Sequence, residues 1–227
     1  RVVRETTGHL ETFRLNDAVG VPYHFLWDDF ADWYLEEIKP RLRGDEPGGE
    51  VARAVAAHCF DTALRLLHPV LPYITETLWR RLPGHGGDTI VTAPWPDGRT
   101  GRPDPGAERG FSFAQAVVNA VRAVRADYGV KPGQAVAASL AGLTADRRRA
   151  IEEEHAMIVR LARLSRLDES PAEGTGAHVV LPDNAALFAA LGDAIDVTRE
   201  CARLGEEQAR LAKQLEAVLD HSFAGDL

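Results

Sequence analysis

The segment that most constrains this chain runs from Phe25 to Pro40. Trp27, Phe30, Ala31, Tyr34 and Ile38 recur at the spacing of one α-helical face. At about 100° per residue, Asp29, Asp32 and Glu36 fall roughly opposite that face. Leu35 and Lys39 sit on one shoulder, and Trp33 sits on the other beside Leu26. Two tryptophans and a tyrosine bury roughly 150–250 Å² each when packed. The pattern predicts a keystone helix with Trp27 and Tyr34 turned inward and a carboxylate-rich outer face.

On the N-terminal side, Val3, Thr6, Leu10 and Phe13 suit a first amphipathic helix, weakened by Gly8. Leu15-Asn16-Asp17 supplies turn and N-cap residues, and Pro22 predicts a kink or restart between Gly20 and Pro22. Pro40 and Gly44 close the keystone helix, and residues 43–49 form a loop. From Glu50 to His68 apolar residues go nearly all the way round, as in a central helix packed on several sides. A further helix spans Val70 to Leu82 with Leu71, Ile74, Leu78 and Trp79 on its apolar side. Short connections make this an antiparallel bundle over residues 1–96.

Residues 97–110, DGRTGRPDPGAERG, have the composition of a linker. Residues 111–191 read as a small α/β subdomain: a helix from Phe113 to Tyr128, a strand within Gly133–Leu140, a helix from Asp146 to Leu161, and short strands at Leu164–Leu167 and His178–Leu181. In residues 192–227, Val197, Leu204, Leu211 and Val218 recur every seven residues, with Cys201, Gln208 and Leu215 between them. This is the seam of a coiled coil. The sequence then stops at Ala224-Gly225-Asp226-Leu227, where a helical hairpin would turn back. The fold class is mainly α: a helical bundle, a small α/β unit and a C-terminal heptad helix.

Composition excludes several classes of function. The two cysteines, Cys59 and Cys201, are isolated, which argues for a reducing compartment and against structural zinc. The eight histidines show no H-x-x-x-H or H-E-x-x-H spacing, so no metal site is expected. No apolar run reaches bilayer length. The net charge of −8 disfavours a broad nucleic-acid-binding surface but permits a local basic patch. There is no P-loop, no nucleotide-binding glycine motif and no Ser-His-Asp grouping, so no catalytic apparatus is recognisable.

Three readings of the keystone's outer face remain open. Asp28, Asp32 and Glu36 at i, i+4 and i+8 can be a solvated face or a carboxylate set for acid–base or metal chemistry. Alternatively, Glu36 accepts hydrogen bonds from an unstacked base while Lys39 holds a phosphate. Trp33 is either a stacking platform or a core anchor, the latter favoured. Arg147, Arg148, Arg149, Arg160, Arg163 and Arg166 form the densest basic region, but Glu152, Glu153 and Glu154 interleave with it as i, i+4 partners. Arg122, Arg125 and Lys131 form a sparser candidate. Cys59 reads as core beside His58.

Residues Trp27 to Glu36 (WDDFADWYLE), continuing through Ile38-Lys39-Pro40-Arg41-Leu42, resemble the anticodon-binding region of the valyl-tRNA synthetases. The resemblance returns at Leu66 to Trp79 (LLHPVLPYITETLW) and at Ala93-Pro94-Trp95-Pro96. The His-Pro segment is shared by several class I synthetases. The D-W-Y-L-E block and the heptad helix leading to Leu219-Asp220-His221-Ser222-Phe223 point more narrowly to the valine family. The resemblance is weak between Gly98 and Ser170.

It implies a helical bundle that holds the anticodon of tRNA(Val), a small α/β piece, and a coiled coil that braces the tRNA elbow. It also implies upstream catalytic and editing domains in a cytoplasmic, monomeric ligase of protein biosynthesis that uses ATP and Mg. No cofactor is implied for this portion, since nothing here resembles the HIGH or KMSKS signatures. By the match, Leu35 lines the anticodon pocket, with Trp33, Glu36 and Lys39 nearby as nucleic-acid-binding residues. The family pattern places one more helix before Arg1 and a return helix after Leu227. Rival readings are the equivalent region of an isoleucine, leucine or methionine enzyme, a helical protein-binding scaffold, and a carboxylate-based enzyme.

Overall fold

The computed structural model describes residues 1–44, 47–84, 86–98, 103–170, 174–192 and 197–223. The centre of the expected linker and the expected hairpin turn at Ala224–Leu227 lie outside these residues. Contacts within the chain divide it into two units, Arg1–Pro103 and Asp104–Leu227.

In the first unit, α1 (Val2–Glu11) is followed by α2 (Leu15–His24), a π-helical segment (Phe25–Leu35) and α3 (Glu36–Arg43). Then come α4 (Gly49–Leu67), α5 (Pro72–Trp79) and a 3-10 turn at Ile90–Thr92. Leu15 to Arg43 is one unbroken rod. Arg14, not Asn16 or Asp17, precedes its first turn, and Pro22 lies buried inside it without a break. A proline forfeits one backbone hydrogen bond; here the burial of its ring offsets that loss. Pro40 is also inside the rod, and Gly44 alone closes it, at φ 87° with its N–H directed to the Arg41 and Pro40 carbonyls. Such a left-handed cap suits glycine, which carries no Cβ penalty.

The π segment overturns the expected inward position of Trp27. Bonding from i to i+5 advances each residue by roughly 80° instead of 100°, so residues five apart come close to alignment. Phe25, Phe30 and Leu35 are so spaced. Trp27 then falls about a third of a turn from Phe30 instead of about a sixth, and it is 63% exposed while Phe30 is 6% exposed. Tyr34 remains half-buried and Ile38 is fully buried.

The α4 helix packs against α2, the π segment, α3 and α5. It buries Ala52, Ala63, Leu64, Leu66 and Leu67, but Val51 and Val55 are exposed. Its first half therefore has one open side, contrary to the all-round packing expected. The α5 helix is shorter than its sequence pattern, and its Ile74 is exposed along with the preceding Leu71, while Trp79 is buried. Leu64, Trp79 and Ile90 form a core cluster. Trp79 Nε1 donates to Asp61 at 2.7 Å, Arg65 donates to the Pro94 carbonyl at 3.0 Å, and Trp95 Nε1 donates to Thr7 at 2.9 Å. The first ties α5 to α4, and the other two fasten the extended Ala93–Pro96 stretch to α4 and α1.

In the second unit, α6 spans Pro105–Asp127. The Asp104-Pro105 pair explains its early start. The Asp104 side chain accepts from Gly106 and Ala107 N–H at 3.0 Å, and proline fits the first turn. A four-stranded sheet follows in the order β2-β1-β4-β3. β1 (Val136–Ala141) is parallel to β2 (Leu164–Glu169) through α7 (Ala145–Glu153) and α8 (His155–Ala162). β4 (Ala186–Ala190) is antiparallel to β1 and to β3 (Gly176–Val180). Phe113, Val117, Val121, Ile158, Leu140 and Leu187 are buried between helices and sheet. The last helix, α9 (Val197–Phe223), exposes Leu204, Leu211 and Leu215. Among the described residues no helix is long and apolar enough to cross a membrane.

Glu76 on α5 accepts hydrogen bonds from Arg80 Nε at 2.5 Å, Thr89 Oγ1 at 2.9 Å and Ile90 N–H at 3.0 Å. Above all the Arg80 bond holds its carboxyl below the usual 4.5. A lowered folded-state value contributes stability above the ordinary value and loses it as pH falls through the lowered one. Glu76→Gln is therefore expected to lower the melting temperature at pH 7 and to converge with the parent chain as pH drops below about 4.5. Melting curves across pH measure this.

Candidate nucleic-acid interface

Trp33 and Leu35 occupy the last turn of the π segment, and Glu36 and Lys39 the first turns of α3. The structure thus brings all four sequence-predicted residues to one junction, where the helix returns from i+5 to i+4 bonding. π segments inside α-helices recur at functional sites because they re-aim side chains without ending the helix.

Aromatic packing holds this junction. The Phe30 ring lies parallel to Phe60 of α4, with centroids 6.1 Å apart at an interplanar angle of 4°. Phe25 and Tyr34 flank Phe30 at 6.2 and 5.9 Å. Tyr34 Oη donates to the Ala52 carbonyl at 3.3 Å. Burial, with the Cys59 thiol beside it, raises the pKa of the Tyr34 phenol, and burial likewise raises that of the Cys59 thiol. Both groups therefore stay neutral at neutral pH. Cys59 is a packing residue, half-buried and free of any disulfide.

Outside this frame, Trp33, Leu35 and Glu36 are half-buried, and the Lys39 side chain is 45% exposed. Lys39 Nζ is paired with Glu36, and Arg41 with Glu37. An ion pair this exposed contributes about 0–1 kcal/mol, so a ligand can replace it at little cost. A freed Glu36 carboxylate can accept from an N–H donor, and the Lys39 ammonium keeps N–H donors that can hold an anion. The four residues do not line the groove of about 730 Å³ that opens between α1 and the rod.

The other carboxylates of the rod are occupied or apart. Asp28 pairs with His24 at 3.0 Å, Asp29 with Arg1 at 3.9 Å, and Asp32 is exposed. Among the described residues no three His, Cys, Asp or Glu side chains gather as a metal site would require. Four of the six arginines of the dense region, Arg147, Arg148, Arg149 and Arg166, are paired with carboxylates of the same unit. Arg147 pairs with Asp183 and lies 4.6 Å over the Phe113 ring. Arg148 is held by Glu169 at 2.6 Å, Arg149 by Glu153 at 2.8 Å and Arg166 by Asp168 at 2.6 Å. Only the Arg149 pair has the i, i+4 spacing that sequence suggests. Asp183 and Glu169 come from other elements and could not be read from helical periodicity.

Residues 1–140 match the family of anticodon-binding domains of tRNA ligases. Over 220 residues the chain is 36% identical to the valine–tRNA ligase of Carboxydothermus hydrogenoformans, covering 96% of this chain and 25% of that protein. It is 34% identical to the valine–tRNA ligase of Brucella suis over 225 residues, and 33% identical to that of Thermotoga maritima over 221 residues. Each covers 96% of this chain and 24% of the relative. The chain thus spans about a quarter of the length of the curated relatives it matches.

The π register makes a prediction opposite to that of simple helical spacing. Phe30→Ala should cost about 3–5 kcal/mol, as for other buried aromatics, and Trp27→Ala should stay within about 0.5 kcal/mol of the parent. Urea unfolding of the two variants measures both.

Proposed function

This chain belongs to the anticodon-binding domain family of tRNA ligases, and from that premise we propose that it is the tRNA-recognising C-terminal portion of a valine–tRNA ligase. The observation that carries the reading is the identity of 31–36% to valine–tRNA ligases along 95–96% of the chain, across both units. The ligand is tRNA(Val). The ATP- and Mg-dependent joining of valine, and the editing of mischarged tRNA, fall to parts of the whole ligase outside the quarter matched here. The whole enzyme acts as a cytoplasmic monomer.

In this reading the helices of the first unit form an antiparallel bundle, and the rod is its tRNA-facing wall. Leu35 packs against a splayed anticodon base, with the half-buried Trp33 beside it. Glu36 accepts from an exocyclic amino group, and Lys39 binds the adjoining phosphate. The exposed Leu204, Leu211 and Leu215 of α9 are one side of a coiled coil that contacts tRNA away from the anticodon. With a net charge of −8, binding rests on local contacts, which favours discrimination over general attraction.

Filter binding of the chain to tRNA(Val) transcripts tests this. Affinity should fall steeply with salt, by a slope of about 0.7–0.9 per phosphate contact. It should drop about tenfold when the anticodon is replaced or Leu35 is changed to Ala, the cost of roughly one contact of 1–3 kcal/mol. Equal binding to the transcript with a replaced anticodon would contradict the proposal.

A further inference from the structure

A second cluster of cations lies in the α/β unit, where α6 and α8 both end on the loop 130–134. Arg125 is 8% exposed. It donates one N–H to the Lys131 carbonyl at 3.1 Å, while its Nη1 is buried without a hydrogen-bond partner. Arg163, at φ 54° just past α8, donates to the next carbonyl, that of Pro132. Lys131 is exposed on the loop between them. Arg122, one turn before Arg125, donates to the Leu161 carbonyl at 3.3 Å.

A purely structural role accounts for part of this. Cations at helix C-termini complement the dipole, and both arginines hold the loop through its carbonyls. The charges do not balance, however. The two helix ends supply roughly −0.5 each against three full positive charges. Asp127, the carboxylate nearest in sequence, forms no ion pair with any of the three. Burial and the charge of Arg163 weaken the hold of Arg125 on its proton, and among the described residues no carboxylate opposes them. A buried guanidinium beside a second one, with a donor to spare, is the arrangement in which an anion removes both deficits.

We infer that Arg125, Lys131 and Arg163 form a phosphate-binding site. The exposed Lys131 and Arg163 take the phosphate oxygens, and Arg125 beneath them supplies charge and its unused N–H. The source is either the backbone of a bound RNA, which rests on the function proposed above, or free phosphate.

The test uses the full chain. Inorganic phosphate is titrated while the arginine Nε–Hε signals are followed by NMR. The Arg125 and Arg163 signals should shift and saturate at millimolar phosphate, and Lys131→Glu, a change on an exposed turn, should weaken binding at least tenfold. Unmoved arginine signals, or a Lys131→Glu variant that binds phosphate as well as the parent, would overturn the site. The salt dependence of tRNA(Val) binding then identifies the source. A slope shallower by about 0.7–0.9 in Lys131→Gln, one lost phosphate contact, assigns it to RNA backbone; an unchanged slope with phosphate titration intact assigns it to free phosphate. Failure of the unaltered chain to bind any tRNA would count against the proposed function, while the phosphate titration would still decide the site.

Discussion

The parallel contact between Phe30 and Phe60 is the interaction on which the first unit depends. A helix widened to i+5 bonding gives up the favourable backbone register of an α-helix, so something outside the backbone must hold it. Phe25, Tyr34 and Phe60 around Phe30 provide that, each aromatic pair adding about 0.5–1.5 kcal/mol beyond the area it buries. The Tyr34–Ala52 hydrogen bond adds a fixed point one turn further on. Together they set the rotation of the rod, and that rotation decides which of Trp33, Leu35, Glu36 and Lys39 face outward.

Under the proposed function, the same arrangement would let an acidic chain offer RNA a surface. Several cations near the rod and on the α/β unit are already neutralised by nearby carboxylates, as in the Arg41–Glu37 and Arg148–Glu169 pairs. Long-range attraction is therefore small, and what remains is a few weakly held groups at defined places. Lys39 is one, because its partner Glu36 is itself exposed enough to be displaced. Arg125, Lys131 and Arg163 are others, because among the described residues no carboxylate pairs with them.

Much of this was legible in the sequence, and the exceptions have physical causes. The helix α9 and the buried second half of α4 follow from helical spacing. Trp27 does not, because the period changes inside the rod and no single-residue signal marks a π segment. Pro22 and Pro40 predicted breaks that tertiary packing overrode. Strand β4 is not legible because its Ala-Leu-Phe-Ala-Ala sequence lacks β-branched residues. The candidate interface is legible only through its resemblance to known ligases, whereas spacing alone favours a solvated face for Glu36 and leaves Lys39 open. Arg122, Arg125 and Lys131 are the sparser basic candidate in the sequence, and Arg163 joins Arg125 and Lys131 only through the fold.

The central claim is that the aromatic-braced rod is one wall of a cradle for the anticodon loop. Nuclease footprinting of tRNA(Val) bound to this chain tests it most directly. Protection of the anticodon loop, lost on Phe30→Ala, is the predicted result; an unprotected loop with protection confined to the elbow or acceptor stem would contradict it.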